Sequence, residues 1–457
     1  MPKLAVPHSL VIVFALLLLA VAATLVLPGG SYEREKHPDG SETVVQGSFQ
    51  VQPRHPQLLQ FFTAPMKGFR KLWDIIAFIF FIGGAFNIIA KTGAIDAGIA
   101  RLVRAIGRRR RTVVALVMVA FSFFGAFFGM CEEAMPFVLI FVPLALSLGY
   151  DSITGLCLSF LAAGVGFATA FFNPFTVQIA QRLAGVPLLS GWEYRVGIWA
   201  GVTALTIAWV LRHAERVRKD PASSPTYAID RARKAVAPAA QGAALGWRNA
   251  LILCLLAAAV GVLFAGVLAW EWYITELSAL FVALGLASGI TAGMTPNALA
   301  REFAAGAKDM VGACLVVAFA AGILVLLEDG RVIDTILYGA AQAFGALPPL
   351  LAAYAQYAVQ AAVNFVIPSG TTKAALTMPL MAPLADLTGI TRQTAVLAYQ
   401  FGDGFTNMII PTSAVTVGTL ELAGVPFEKW FRWLLPLQIV FILLSLLLLV
   451  PPVLMGW

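Results

Sequence analysis

Charge is scarce in this sequence. Only 12% of its 457 residues are Asp, Glu, Lys or Arg, whereas about 25% is usual in a soluble globular protein. Hydrophobic residues make up 60% of the chain, and the mean hydropathy is +0.84. Because apolar runs of about 18 or more residues recur along the chain, the sequence predicts an all-α polytopic membrane protein.

Cysteine and histidine are also scarce, with four residues of each type. The cysteines form no CxxC motif and the histidines no HExxH motif, so we expect no disulfide framework, zinc site or cofactor. An intramembrane enzyme would need a nucleophile–base pair or a metal cluster, and the sequence offers neither, so an enzyme is not expected. The net charge of +7 does not indicate nucleic acid binding, because the arginines cluster between apolar runs.

Two basic loops predict the orientation of the chain in the membrane. One loop carries Arg101, Arg104 and the run Arg108-Arg109-Arg110-Arg111, and the other covers residues 212–246. Loops rich in Lys and Arg stay in the cytoplasm. We therefore expect a multi-pass protein of the bacterial cytoplasmic (inner) membrane, with the N-terminus in the cytoplasm and the C-terminus outside it.

The polar segment 31–70 lies between the first two predicted spans, Leu10–Leu27 and Leu72–Ile89. The turn signal Pro38-Asp39-Gly40 predicts a small β-hairpin there. An amphipathic stretch is expected to follow from Pro56 to Phe69.

Two adjacent carboxylates, Glu132 and Glu133, interrupt about forty otherwise apolar residues between Thr112 and Leu148. A central charge costs at least about 2.5–3.5 kcal/mol on insertion scales, so such a pair must face protein, water, an ion or a substrate. The two short apolar arms around a polar tip that opens at Gly129 predict a re-entrant hairpin. Irregular backbone at membrane depth is tolerated only where protein shields it or a cavity adjoins it.

The second half of the chain repeats the first at an offset of about 240 residues. The glutamate tip aligns with Pro368–Lys373. A discontinuous helix, expected within Ile153–Arg182 at Gly164–Gly166 and at Asn173-Pro174, aligns with a second break at Ile410–Ser413. The matched anchors are Gly107, Gly149 and the Leu-Ala-Gly-Val-Pro motif at 183–187 with Gly345, Gly389 and the same motif at 422–426.

Counting the spans from the basic loops makes the two repeats inverted, with about nine full crossings, two re-entrant hairpins and two broken helices. Inverted repeats with broken helices are typical of secondary transporters, whose site lies near the bilayer midplane. The expected divisions are 1–71 (first helix and extracytoplasmic loop), 72–211 (repeat 1 with hairpin 112–148), 212–246 (cytoplasmic loop), 247–308 (connecting helices) and 309–457 (repeat 2 with hairpin 350–387).

The chain resembles the YfcC family, within the C4-dicarboxylate anaerobic carrier (DcuC-like) group of the ion transporter superfamily. The resemblance implies a homodimer and a mobile transport domain, moving like an elevator against a scaffold. Some members are named for C4-dicarboxylates and others for basic amino acids. Two departures stand out, Cys131 in place of a glycine and Thr372-Lys373 in place of a small residue and glutamine. The motifs are Gly-Met-x-Glu-Glu-Ala at 129–134, Asp-Ser-Ile-Thr at 151–154, Asn-Pro-Phe at 173–175, Ala-Gly-Val-Pro at 184–187, Ala-Ala-Leu-Thr-Met-Pro-Leu at 374–380 and Gln-Phe-Gly-Asp-Gly-Phe at 400–405.

The candidate site residues lie at the two tips and the two breaks. Glu132 and Glu133 either bind a cation or are a structural pair hydrogen-bonded to the backbone. Lys373 either holds a substrate carboxylate, neutralises Glu133 or extends to the surface. Asp403 is either a coupling-ion ligand or a buried structural acid. The substrate-binding candidates are Glu132, Glu133, Asn173, Ser369, Gly370, Thr371, Thr372, Lys373, Thr412 and Ser413, and the ion-coupling candidates are Glu133, Asp403 and Asn407.

These residues predict a secondary active transporter for a small carboxylate-bearing metabolite, such as a C4-dicarboxylate. The alternative is a transporter or exchanger of a basic amino acid, arginine or ornithine, with the glutamates binding the cationic side chain. A channel is a third class, which would show neither saturation nor dependence on an ion gradient. The coupling ion, Na⁺ or H⁺, stays open. The expected partners are a small-molecule substrate and the lipid bilayer.

Overall fold

Helices make up most of this computed structural model, which describes residues 9–457 apart from 37–41, 46, 96, 99–100, 102–108, 237–245, 271, 273 and 345–346. Four short strands lie between the first two helices. The helices are α1 (Ser9–Val26), α2 (Gln60–Lys71), α3 (Trp73–Lys91), α4 (Arg110–Phe128), α5 (Val138–Ser147), α6 (Ser152–Ala168), α7 (Val177–Ala184), α8 (Trp192–Lys219), α9 (Tyr227–Val236), α10 (Trp247–Ala269), α11 (Ile274–Ala292), α12 (Pro296–Asp309), α13 (Val311–Asp329), α14 (Ile333–Phe344), α15 (Pro349–Val366), α16 (Gly370–Leu387), α17 (Arg392–Asn407), α18 (Ala414–Leu422) and α19 (Phe427–Met455).

The strands confirm the predicted hairpin. Strand β2 (Arg34–Lys36) pairs antiparallel with β3 (Glu42–Val44), and β1 (Gly29–Ser31) pairs antiparallel with β4 (Gln50–Gln52). The predicted turn at Pro38–Gly40 lies outside the described residues, as do Arg104 and Arg108 of the first basic loop.

The amphipathic stretch is also confirmed, as α2. Its small residues Ala64 and Gly68 are buried, whereas Phe62 and Met66 are exposed. A Cβ on Gly68 would lie 2.2 Å from the carbonyl oxygen of Ala318, so α2 and α13 pack backbone to backbone. Helices α1, α3, α11 and α12 complete this first body through contacts with α13 or with one another.

The second body contains the two hairpins and the broken helices. Helix α4 packs on α6, and a Cβ on Gly166 would lie only 1.9 Å from the carbonyl oxygen of Ser122. The predicted interruption at Gly164–Gly166 is therefore wrong. These glycines stay helical and serve close helix packing, which is the common use of small residues between membrane helices.

Each predicted hairpin returns to its own end of the molecule. In the first, α4 ends at Gly129 in the left-handed conformation (φ +76°), a 3₁₀ turn follows from Glu132 to Phe137, and α5 runs back. Arg110 Nη1 at the start of α4 donates to the carbonyl oxygen of Leu148, 3.0 Å away, just after α5. In the second hairpin, Gln360 Nε2 donates to Thr377 Oγ1 at 2.9 Å between α15 and α16. A Cβ on Gly389, just after α16, would lie 3.6 Å from Pro349 Cγ at the start of α15.

Both predicted helix breaks at proline are confirmed. The chain leaves α6 at Ala168 and resumes helix at Val177, and it leaves α17 at Asn407 and resumes at Ala414. The segment 212–246, predicted as a loop, is partly helical. Helix α8 continues to Lys219 because its first helix-stopping signal is Asp220-Pro221, and α9 follows.

Two of the three matched anchor pairs keep matched backbone conformations, and the third pair, Gly107 and Gly345, lies outside the described residues. Gly149 and Gly389 have φ of +86° and +72°, and Gly185 and Gly424 have φ of +68° and +57°. In the described part of the chain, five helices are long and apolar enough to cross a membrane, or six if α12 and Cys314–Asp329 form one span bent by 45°. The expected nine crossings and the inversion of the repeats stay predictions.

Candidate functional site

Both hairpin tips lie against the first helix break. A Cβ on Gly129, at the first tip, would lie 2.5 Å from Asn173 Oδ1, so only glycine fits there. At the second tip, Thr371 Oγ1 donates to the carbonyl oxygen of Phe175 at 2.9 Å. Asn173 Oδ1 itself accepts from the Phe175 N–H at 2.9 Å, which holds the break in shape. The residues from Asn173 to Phe175 thus contact both tips.

The second break joins the same cluster. Thr412 Oγ1 donates to the carbonyl oxygen of Phe365 at 2.7 Å, near the end of α15. The 3₁₀ turn that follows the first tip packs against α18. Ser413 Oγ accepts from the Thr416 N–H at 3.3 Å and caps α18. The structure therefore brings together the four polar interruptions of the sequence.

A buried ion pair lies beside the second tip. Lys373 Nζ is 2.8 Å from Asp403 Oδ1, and both side chains have no exposed area. Asn364 Oδ1 accepts from the same ammonium at 3.1 Å, and the Tyr399 ring lies 5.2 Å from it. Lys373 is therefore paired with Asp403 and does not extend to the surface.

Asn364 connects the predicted ion-coupling residues. Its Nδ2 lies 3.0 Å from the carbonyl oxygen of Asp403 and 2.8 Å from Asn407 Oδ1. Asp403 and Asn407 therefore share one face of α17, as their spacing predicts. The sequence reasoning missed Asn364. Its signal is the series Gln356, Gln360 and Asn364, three amides at spacing four in an otherwise apolar helix.

The two glutamates differ in their surroundings. Glu133 is buried, with 6% exposed, and its Oε2 accepts from the Cys131 N–H at 3.0 Å, which fits the structural interpretation of this residue. Glu132 is only partly buried. Among the described residues, neither carboxylate forms an ion pair with a Lys, Arg or His. Because Lys373 and Asp403 pair with each other, Glu132 and Glu133 are carboxyl groups of this cluster that have no cationic partner in the described residues.

The second tip is an exposed helix start. Ser369, Thr371 and Thr372 are exposed, and Ser369 Oγ lies 3.1 Å from Thr372 Oγ1. The first N–H groups of a helix have no partner within the helix, and they favour anions. A Cβ on Gly370 would lie 3.0 Å from Asp403 Oδ2, so this tip adjoins the buried ion pair.

A small cavity separates the first tip from the second break. Cys131, at the first tip, lines it, as do Asn407, Ser413 and Thr416 around the second break. The cavity places hydroxyl and amide groups of the second repeat next to the tip that carries the glutamates.

Comparisons with known proteins agree with the motifs. The family model described as DcuC, C4-dicarboxylate anaerobic carrier, matches residues 6–453. YfcC of Escherichia coli (strain K12), provisionally named a basic amino acid antiporter, is 36% identical over 467 residues, which cover 94% of this chain and 92% of that protein. An uncharacterized protein of Haemophilus influenzae (strain ATCC 51907 / DSM 11121 / KW20 / Rd) is 30% identical over 492 residues, with 97% and 96% covered.

Among solved structures, the Alcanivorax borkumensis YdaH transporter aligns over 99% of both chains, with a TM-score of 0.43 and 18% sequence identity. The family match extends over nearly the whole chain, and the resemblance to YfcC is confirmed. The chain therefore belongs to the DcuC family of carriers.

Proposed function

We propose that this chain is a secondary active transporter of the bacterial cytoplasmic membrane for a small carboxylate-bearing metabolite, and that this metabolite is a basic amino acid such as arginine or ornithine. The observation that carries the choice of substrate is the charge of the cluster. Its only buried lysine, within the described residues, is already paired with Asp403, whereas Glu132 and Glu133 have no cationic partner there. A cationic side chain would supply that partner.

The second tip supports binding of the other end of such a substrate. The exposed start of α16 offers free N–H groups and the hydroxyl proton of Thr372 to an α-carboxylate, whereas the hydroxyls of Ser369 and Thr371 already donate to Thr372 Oγ1 and to the Phe175 carbonyl oxygen. Asn173, between the tips, has a buried Nδ2 with no hydrogen-bond partner in the described residues. The provisional name of YfcC agrees with this substrate class.

A C4-dicarboxylate is the second candidate, because the family description names it. A dianion would use the free N–H groups of α16 for one carboxylate. It would need Lys373 to leave Asp403 in order to hold the other. In either case we propose that the hairpins and broken helices move as one transport domain within a homodimer, with the N-terminus in the cytoplasm and the C-terminus outside.

Thermal unfolding of the detergent-purified protein tests the substrate class. Arginine, ornithine, succinate and fumarate are added one at a time, because a ligand at about 100 times its Kd adds roughly 2.7 kcal/mol of stability. We expect stabilisation by arginine or ornithine that is lost in Glu132→Gln and weakened in Glu133→Gln. The control is Glu193→Gln, an exposed glutamate at the start of α8. Stabilisation by succinate alone, unchanged in the glutamate variants, would instead establish the dicarboxylate.

A further inference from the structure

The turn that ends the first broken helix is held by an arginine of the second repeat. Arg392 Nη1, in the first turn of α17, donates to the carbonyl oxygen of Ala184 at 2.9 Å. The same guanidinium pairs with Asp386, at 2.8 Å between Nη2 and Oδ2. Ala184 directly precedes Gly185 of the Leu-Ala-Gly-Val-Pro motif. This contact ties the end of α7 to the start of α17.

The equivalent turn in the second repeat is held by a different part of the chain. Ala423 precedes Gly424 in the same motif, and its carbonyl oxygen accepts a hydrogen bond from Arg233 Nη2. The same nitrogen donates to the carbonyl oxygen of Gly424 at 3.0 Å. Arg233 belongs to α9, which lies in neither repeat.

The repeat alignment explains why Arg233, and not a residue of the first repeat, holds this turn. At the offset that matches Gly149 with Gly389, the residue opposite Arg392 is Ser152. A serine side chain is too short to span the distance that a guanidinium spans. Instead, Ser152 Oγ accepts from Arg233 Nη1 at 2.8 Å. Arg233 thus bridges the start of α6 and the turn after α18, as Arg392 bridges α17 and the turn after α7.

Helix α9 also supplies a carboxylate that contacts Ser152. Asp230, one turn before Arg233 and only 6% exposed, accepts from the Ser152 N–H at 3.1 Å and from Ser152 Oγ. The residues just before α9 are anchored as well. Ser224 Oγ donates to Asp151 Oδ2 at 2.7 Å, and Lys429 Nζ donates to the carbonyl oxygen of Pro225 at 2.7 Å.

We propose that Arg233 is a positioning residue that replaces the arginine missing from the first repeat. Together with Asp230 it makes α9 a clamp that fixes the start of α6 against the turn after α18, so that the two broken helices move as one unit. The effect on turnover rests on the proposed transport function, whereas the clamp itself does not.

Hydrogen–deuterium exchange tests the clamp without any substrate. The variants are Arg233→Ala and Arg233→Lys, and the control is Arg231→Ala, which removes the same charge from an exposed position of the same helix. We expect exchange to rise at least about tenfold in residues 224–236 and 420–426 of Arg233→Ala, and to stay unchanged in the control. Arg233→Lys should give an intermediate rise, because one ammonium cannot reach both Ser152 Oγ and the Ala423 carbonyl oxygen with the geometry of a guanidinium.

A second variant tests the repeat argument directly. Ser152→Arg in the Arg233→Ala background places a guanidinium at the position that aligns with Arg392. We expect the protection of residues 420–426 to return while residues 224–236 keep exchanging fast. Unchanged exchange in both Arg233 variants, or no recovery in the double variant, would overturn the proposal. If Arg233→Ala does not fold, Arg233→Lys decides the first question.

Uptake of arginine into proteoliposomes then measures the consequence for transport. Arg233→Lys should lower the maximal rate with little change in KM, because the residue touches no predicted site residue. A wild-type protein that does not transport arginine would count against the proposed substrate and would leave the exchange result standing. An unchanged maximal rate in a variant whose exchange has risen would refute the role of the clamp in turnover.

Discussion

Among single residues, the Lys373–Asp403 pair carries the largest expected effect on stability. Removing one partner of a buried ion pair leaves an uncompensated charge, which destabilises a protein by roughly 3–5 kcal/mol. Asp403→Asn should therefore lower the thermal unfolding midpoint strongly, because Lys373 has no exposed area. The double variant Lys373→Gln/Asp403→Asn should recover much of the loss. An Asp403→Asn protein that unfolds at the wild-type temperature would contradict this account.

The polar residues of the site could be identified from the sequence, but the pairing of Lys373 with Asp403 could not. Asn173, Ser369 and Thr412 stand out because they are polar residues beside proline or glycine in apolar surroundings, which is a local signal. The partner of Lys373 depends on how α16 packs against α17, thirty residues away in sequence. The sequence left a substrate carboxylate, Glu133 at the matching position of the first repeat, and the membrane surface as alternatives for Lys373. The structure instead pairs the lysine with an acid of its own repeat.

Among the elements, the contact between α4 and α6 depends on glycine. A Cβ on Gly166 would lie 1.9 Å from the Ser122 carbonyl oxygen, so Gly166→Ala must push the two helices apart. Overpacking of this kind typically costs about 1–3 kcal/mol. The control is Gly201→Ala in α8, where a Cβ would meet nothing within 4 Å. Thermal unfolding should show a lower midpoint only for Gly166→Ala, and equal midpoints would refute the close packing.

The elements show where sequence reasoning succeeds and where it fails. The breaks at Asn173-Pro174 and Ile410–Ser413 were predictable because proline removes a helix hydrogen bond and polar side chains stand beside it. Proline alone is not sufficient, since Pro436 stays inside α19. Glycine is ambiguous, because it can end a helix or let two helices approach closely. Gly129 ends α4 with φ of +76°, whereas Gly164 and Gly166 lie inside α6. Only the packing of a neighbouring helix separates the two cases.

At the scale of the whole molecule, the described helices pack into two groups. Helices α1–α3 and α11–α13 pack on one another, whereas the hairpins and broken helices bring the charged and amide side chains together. Composition and repeats predicted a membrane transporter, because long apolar runs and duplicated interruptions are properties of the whole sequence. The charge balance of the site could not be predicted, since it depends on which charges pair within the fold.

That charge balance leads to an expectation for ion coupling. The Lys373 ammonium lies 2.8 Å from Asp403 Oδ1 and 3.1 Å from Asn364 Oδ1, so a Na⁺ in its place would have a carboxylate and an amide oxygen as ligands. Oxygen ligands of this kind suit hard cations. Because the Lys373 ammonium already supplies the positive charge beside Asp403, no Na⁺ is needed at that position. Arginine uptake by wild-type proteoliposomes should therefore not depend on Na⁺.

Lys373→Gln should make the same uptake depend on Na⁺, because it removes the tethered cation and leaves the oxygens of Asp403, Asn364 and Asn407 available. The control is Lys219→Gln, which removes an exposed lysine at the end of α8. The measurement compares initial rates in Na⁺ and in choline buffers of equal ionic strength. Wild-type uptake that requires Na⁺ would place the coupling ion elsewhere and would reduce the Lys373–Asp403 pair to a structural contact. Na⁺ dependence that appears only in Lys373→Gln would instead establish that the ammonium acts as the site's own cation.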